Sequence, residues 1–284
     1  MIVHPELERI QNVFNWKIPL TPNESLPNWY PADSRPSVES AYLDDVVTER
    51  ARIDKKSWWY RTRNQVIIKV FQQTGAPLLW DIGSGTGVVA TALMERGWSV
   101  IGVEPSLAGS RLTAELGIPT FQSSLEELKL PGESVGALSL LDVLEHVGDR
   151  SSLLAEAHRV LTSDGILLIT VPALPALWSQ FDVHERHFLR YTRASLLREL
   201  DAHDFSVTKC GYFFALTLIP LLILRAIPFR LGFKQFLSSS GGVSKRGGFI
   251  GVLAEKLEVA LALRIPIGSS IIAVAKKRTP AGTV

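Results

Sequence analysis

Through the middle of the chain, short apolar runs alternate with segments whose apolar residues recur every three or four positions. The runs fall near 78–82 (LLWDI), 98–103 (WSVIGV), 119–121 (PTF), 135–141 (VGALSLL), 165–171 (GILLITV), 205–210 (FSVTKC) and 269–275 (SSIIAVA). Helical patterns lie between them near 86–96, 106–116, 151–161 and 193–203. This order predicts an α/β fold, a doubly wound sheet of seven strands built from βαβ units. Continuous apolar stretches such as LLIT predict strands covered on both faces.

Two regions break the alternation. Pro19, Pro22, Pro27, Pro31 and Pro36 crowd residues 19–36, which predicts an extended segment or cover loop there. Residues 38–73 then turn helical, with SVESAYLDDVVTERARI followed by SWWYRTRNQVIIKVFQQTG, Ser57 placed to cap the second helix and Gly75 to end it. Later, residues 212–266 separate the last two strands by more than a usual crossover. This insertion has an apolar start (YFFALTLIPLLIL) and a flexible middle (SSSGGVSKRGG). Its end is helical, with Ile250, Leu253, Leu257, Leu261 and Arg264 at helical spacing. The expected organisation is a helical cover over 1–75 and a ligand-binding domain over 76–284 that carries the insertion.

The stretch WDIGSGTGVVA places Gly83, Gly85 and Gly87 between a strand and a helix, a loop whose backbone N–H groups a nucleotide can touch. The dinucleotide fingerprint would need its third glycine at position 88, where Val88 stands, and no Gly-Lys-Ser/Thr run marks a phosphate loop. Asp81 brings a carboxylate beside the loop, which suits a cationic ligand group better than a pyrophosphate. Glu104 ends the second strand about 20 residues after the first glycine, where an acid accepts hydrogen bonds from both ribose hydroxyls. A ribose diol and a positive amino acid occur together in S-adenosylmethionine.

With DIGSGTG, the acid of GVEPS and LSLLDVLEHVGDRSSLLAEAHRVLTSDGILLITVP, the chain resembles the class I S-adenosylmethionine-dependent methyltransferases over roughly 78–210 and the last strand. The resemblance implies a mostly parallel sheet with its last strand inserted antiparallel beside the sixth. It also implies S-adenosylmethionine as cofactor. Asp81, Gly83, Ser84, Gly85 and Gly87 would surround the methionine part, and Glu104 with Pro105 would hold the ribose. Ser124 and Leu125 would border the adenine, while Leu141 and Asp142 would lie under the reactive centre. The family more often has an acid near the third strand end, where this chain reads Gln122-Ser123-Ser124-Leu125. Trp59, in the cluster Trp58-Trp59-Tyr60-Arg61, is expected over the cofactor as an aromatic lid or, equally, packed on the core.

Methyl transfer from a sulfonium asks the protein for alignment, exclusion of water and, where the acceptor must lose a proton, a base. LDVLEHV offers Asp142, Glu145 and His146; the loop WSQFDVHERHFLRYT offers Trp178, Asp182, His184, His187, Arg190 and Tyr191. Of these, Asp142, His146, His187 and Tyr191 are the expected catalytic set. His187 is favoured as base or orienting group, because histidine titrates near neutrality. Asp182-x-His184-x-x-His187 can be read as metal ligands, but it is not the H-E-x-x-H spacing, and no metal is expected.

A net charge of +2, from 30 basic and 28 acidic residues, offers no footprint for a polyanion. LDVLEH also stands where amino-directed DNA methyltransferases carry Asn/Asp-Pro-Pro-Tyr, so no nucleic-acid partner is expected. The single Cys210 excludes a disulfide framework within the chain, and MIVHPELERI lacks a secretory pattern, so a cytoplasmic location is expected. Between Lys209 and Arg225 lie 15 uncharged residues interrupted by Pro220, fewer than the roughly 20 that a spanning helix needs. Arg225, Arg230 and Lys234 follow. The segment 212–237 thus reads as a peripheral contact with the inner face of an anionic membrane, or as a buried or dimeric helix lining an acceptor pocket. Both readings point to a small-molecule or lipid-linked acceptor. The tail of the resemblance, to bacterial methyltransferases of which some belong to cell-envelope glycan or lipid pathways, points the same way. The rival reading is a protein that binds the cofactor, or assembles at a membrane, without transfer.

Overall fold

The computed structural model describes residues 20–22, 28–31, 58–233 and 249–278, with side chains for 58–233 and 251–278. The predicted helix over 38–53, the Ser57 cap and the glycine-serine middle of the insertion lie outside the described residues.

Among the described residues, nine strands form one sheet. They are β1 (Leu20–Pro22), β2 (Asn28–Pro31), β3 (Leu78–Ile82), β4 (Ser99–Val103), β5 (Thr120–Phe121), β6 (Val135–Leu141), β7 (Leu161–Pro172), β8 (Phe205–Phe213) and β9 (Ser270–Lys277), in the order β1-β2-β5-β4-β3-β6-β7-β9-β8. Strands β2 to β7 pair in parallel, and β9 lies antiparallel between β7 and β8. The seven expected strands are all present in the expected arrangement. The described parts of the proline-rich segment, 20–22 and 28–31, are extended and pair into the sheet. Strands β1 and β2 form a hairpin whose second strand adds to the β5 edge. Pro22 and Pro31 sit at strand ends, where a missing N–H costs little.

The helices are α1 (Trp58–Phe71), α2 (Val88–Met94), α3 (Leu107–Glu115), α4 (Arg150–Val160), α5 (Gln180–His184) and α6 (Arg193–Asp201). A short 3₁₀ turn after α1 ends at Gly75 with φ 74°, so the expected stop holds. Ser106 accepts from Gly109 N and Asp149 from Ser152 N, which fixes where α3 and α4 begin. Strand alternation divides the core between the two faces. Leu79, Val100, Leu168 and Ile272 meet α1 (Val66, Ile67, Val70, Phe71) and α2 (Val89, Ala90, Leu93) on one side. Trp80, Ile101, Leu138, Leu167 and Ile169 meet α4 (Leu153, Leu154, Ala157) and α6 (Leu196, Leu200) on the other.

The insertion holds α7 (Leu218–Leu221), a π-helical stretch Leu222–Ala226, α8 (Ile227–Arg230) and α9 (Phe249–Leu261). In α9 the leucines at helical spacing, Leu253 and Leu257, are 58% and 45% exposed, while Glu255 and Glu258 are buried. The reason is polar satisfaction. Glu258 accepts from Ala215 N (3.1 Å) and Leu216 N where the chain leaves β8, and Glu255 accepts from Arg61 (2.9 Å) and Gln65 on α1. Among the described residues, no helix is long and apolar enough to cross a membrane.

Candidate active site

The carboxyl ends of β3 and β4 bring the glycine loop beside Glu104. Gly83, Gly85 and Gly87 have φ of 71°, 56° and 70°, a left-handed conformation that a Cβ strains. Their surroundings differ. A Cβ on Gly83 would come within 2.6 Å of Val143 Cγ2, and one on Gly87 within 2.9 Å of Leu116 Cδ1; at Gly85 the nearest atom is 3.9 Å away. Gly83 and Gly87 are therefore required by packing, and Gly85 is the glycine with open space on its Cα. Ser84 is buried, 3.5 Å from Thr113 Oγ1, which donates to Gly85 O (3.0 Å) and ties the loop to α3.

Glu104 is 5% exposed and accepts from Gly85 N (2.7 Å) through one oxygen and from Ser106 N (2.9 Å) through the other. These bonds hold the carboxylate at the end of β4, beside the backbone of the glycine loop. Gly109 was not anticipated. A Cβ there would meet Glu104 Cγ at 2.8 Å and Gly85 O at 3.0 Å, so this glycine lets α3 approach the acid. Its signal was present in the sequence as a glycine inside a helical pattern. Pro105 is half-buried between β4 and α3.

Asp81 is 3% exposed and accepts from Ser139 Oγ (2.7 Å) on β6. Burial pushes its carboxyl up to about 6, against the lowering by the Ser139 hydrogen bond and the Arg63 charge. A desolvated acid of this kind is stabilised by an incoming cation. Arg63, also not anticipated, reaches from α1 to Leu141 O (3.2 Å) and to Asp142 Oδ2 (2.7 Å). Asp142 turns the chain at φ 58° and accepts from Thr170 Oγ1 (3.0 Å) as well. Trp59 stacks on Phe214 at 5.7 Å and carries the Arg63 guanidinium 5.6 Å over its ring. It thus joins a lid-side cluster and the end of β8.

On the adenine side, Leu125 is 1% exposed within the core beside Phe121 and Leu128, a correction to its expected place at the ligand. Ser124 is half-buried and exchanges hydrogen bonds with Glu127 in a turn. The side chain that fits a ligand here is Ser123, directly after β5, whose buried hydroxyl has no hydrogen-bond partner among the described residues. An orphaned hydroxyl, an open glycine, a strand-end acid and a second buried carboxyl together fit an adenosine bearing an amino acid.

Across the sheet edge, β6 leads into a 3₁₀ turn, Leu144–His146, and β7 into the loop that contains α5. Phe188 N donates to Glu145 O (2.7 Å), which joins the two. Asp182 is fully buried. It accepts from Ser179 N (2.9 Å), from Arg190 Nε (2.7 Å) and from His187 Nδ1 (2.9 Å). Burial raises its carboxyl, but the His187 hydrogen bond and the Arg190 charge outweigh that and hold it below the usual range. His146 meets His187 edge to face at 4.7 Å. His184 makes no part of this dyad. Tyr191 is a correction: it is fully buried in the core, its N–H bonded to Pro172 O, and burial with Glu199 nearby pushes its phenol above the ordinary range. Such a phenol exchanges no proton with a substrate near neutrality.

Comparison with known proteins agrees with this geometry. Residues 80–169 match the methyltransferase domain family. A probable S-adenosylmethionine-dependent methyltransferase of Mycobacterium tuberculosis is 27% identical over 57% of this chain and 61% of its own length. A ubiquinone biosynthesis O-methyltransferase of Paramagnetospirillum magneticum is 32% identical over 37% of this chain and 43% of its own. The chain thus spans about two fifths to three fifths of the length of these curated relatives. A Thermotoga maritima crystal structure, described as an S-adenosylmethionine-dependent methyltransferase and possible histamine N-methyltransferase, shares the fold at a TM-score of 0.54. It covers 84% of this chain and 99% of its own, with 19% identity. Together with the glycine loop, the strand-end acid and the antiparallel seventh strand, these likenesses support a class I S-adenosylmethionine-dependent methyltransferase domain.

Proposed function

We propose that this chain transfers a methyl group from S-adenosylmethionine to a hydroxyl of an apolar, small or lipid-linked acceptor. The donor supplies an activated methyl, so the chain's residues need only bind, orient and exclude water. In this reading Gly85, Glu104 and Ser123 hold the adenosine and Asp81 faces the ammonium. Arg63 and Asp142 fix the β6 end beneath the reacting atoms. His187 faces the acceptor, its Nδ1 proton committed to Asp182 and its Nε2 turned to the acceptor hydroxyl. Oxygen as the acceptor atom is supported by the likeness to the Paramagnetospirillum magneticum O-methyltransferase.

The observation that carries the acceptor class is the apolar surface joined to the dyad loop. Leu216, Ile219, Ile223, Leu224, Leu231 and Phe233 are 43–69% exposed. The same segment docks on the acceptor-side loop through Arg225, 4.9 Å over the Phe181 ring, and through Arg230 Nη2 to Ala176 O (2.9 Å). An exposed apolar patch this continuous marks a binding surface, and its neighbouring arginines suit an anionic membrane face.

Calorimetry with S-adenosylmethionine and S-adenosylhomocysteine tests the donor half; binding of neither overturns it. For the acceptor half, radiolabelled methyl is expected to enter the lipid fraction of a membrane extract. The protein is expected to sediment with anionic vesicles at low salt. Label confined to water-soluble products, with no sedimentation, overturns the lipid-linked reading.

A further inference from the structure

We propose that Glu145, His146 and His187 form a divalent transition-metal site that holds the acceptor oxygen, an inference that rests on the hydroxyl-acceptor reading above. Each of the three residues offers one ligand atom, and these atoms lie within 4.8 Å of one another. They come from separate stretches of chain, the 3₁₀ turn after β6 and the loop after α5, tied together by the Phe188 N to Glu145 O bond. Tetrahedral ligands at zinc bond lengths stand roughly 3.4 Å apart. Closure therefore asks for movement of about an ångström, within the reach of side-chain rotation.

The surroundings are those a metal-binding imidazole needs. Asp182, fully buried and anchored by Ser179 and Arg190, takes the Nδ1 proton of His187 at 2.9 Å. This carboxylate-histidine pairing fixes the tautomer and leaves Nε2 as the lone pair for a metal. Two imidazoles and one carboxylate suit zinc, iron or manganese better than magnesium or calcium. Three protein ligands leave a position open for a substrate oxygen. A hydroxyl bound there loses its proton to solvent more readily. Its oxygen then forms the bond to the methyl carbon as the carbon–sulfur bond breaks and that electron pair stays on sulfur. His187 acts in this arrangement as a ligand and not as the proton acceptor.

The test uses the full chain, stripped with a chelator and titrated with zinc, then with cobalt as an optical probe, in the absence of donor and acceptor. About one ion per chain is expected, with cobalt absorption bands of a low-coordinate nitrogen-oxygen site. His146→Ala and His187→Ala are expected to weaken binding at least 100-fold, and Asp182→Asn by about 10- to 100-fold. His184→Ala should leave it unchanged. Thermal melts check that each variant is folded; His146→Gln and His187→Gln replace any that is not. No ion retained by the wild-type chain, or equal affinity in the histidine variants, overturns the site. Calorimetry with S-adenosylmethionine on the same stripped protein separates the two readings. Donor binding without metal binding overturns only the cation, and metal binding without donor binding overturns the transfer reading.

Discussion

In the proposed assignment, the donor half and the acceptor half of the site lie along one sheet edge but are built differently. Around the donor, the selective elements are backbone N–H groups, left-handed glycines and two carboxylates, drawn mostly from the continuous stretch 81–109. Around the acceptor they are side chains from 142–146 and 179–190, backed by the insertion and by Arg63 from α1. The donor half is a local device that a short motif specifies. The acceptor half exists only once distant segments have met, so it can change its substrate without disturbing the donor loop.

The sharpest test of that contrast is Glu104→Ala. It removes the acceptor of Gly85 N and Ser106 N together with the expected ribose contact. Donor affinity should fall by more than about 100-fold, and stability by about 1–3 kcal/mol because buried donors are orphaned. Calorimetry and denaturant melts read both, and an unchanged affinity breaks the donor assignment. Next in size is a pair at the loop. Gly83→Ala collides with Val143 as well as straining φ, whereas Gly85→Ala meets only the conformational cost of roughly 1–2 kcal/mol. The first should lower the melting temperature more than the second. Equal losses would mean that the Val143 contact yields.

A third test uses Asp81. Its folded-state carboxyl is raised to about 6, above the unfolded value near 3.8, so the folded chain holds this proton more tightly than the unfolded chain. Stability is therefore lost as the pH rises from the lower value through the upper one, and a cationic ligand reverses that preference. Donor affinity should thus be flat above pH 6 and fall by up to about tenfold per unit below it, with proton release on binding near pH 5.5. A flat profile from pH 7 to 5 would remove Asp81 from the site. The smallest effect is expected on the acceptor side. Ile223→Lys on the exposed apolar helix should shift stability by no more than about 0.5 kcal/mol, yet lower vesicle sedimentation clearly. A large loss of stability would show that this surface is packed in the folded chain.

Most of the fold was legible because period and punctuation are local. Apolar runs of three to seven residues marked the strands, and Ser106, Asp149 and Gly75 sit where cap chemistry requires them. The failures share one cause. Leu125 follows a strand end, as an adenine-side residue would, but its apolar side chain gains more from the core than from a ligand rim. Helix α9 shows the same limit, since amphipathic spacing predicts which side chains share a face and says nothing of which face is covered. There, two buried glutamates satisfied by Ala215, Leu216, Arg61 and Gln65 decided the orientation against the leucines.

The sequence by itself determined the sheet, the glycine loop, the strand-end acid and hence the donor, because each depends on residues close together in the chain. Only the tertiary structure decided that Asp182 serves His187, that His146 and Glu145 stand beside them, that Arg63 holds Asp142, and that Tyr191 belongs to the core. Apart from the Asp182–His187 pair, which lies within one loop, these are contacts between segments separated by many residues, in which burial and the satisfaction of charge select the partner, and no local pattern records that choice.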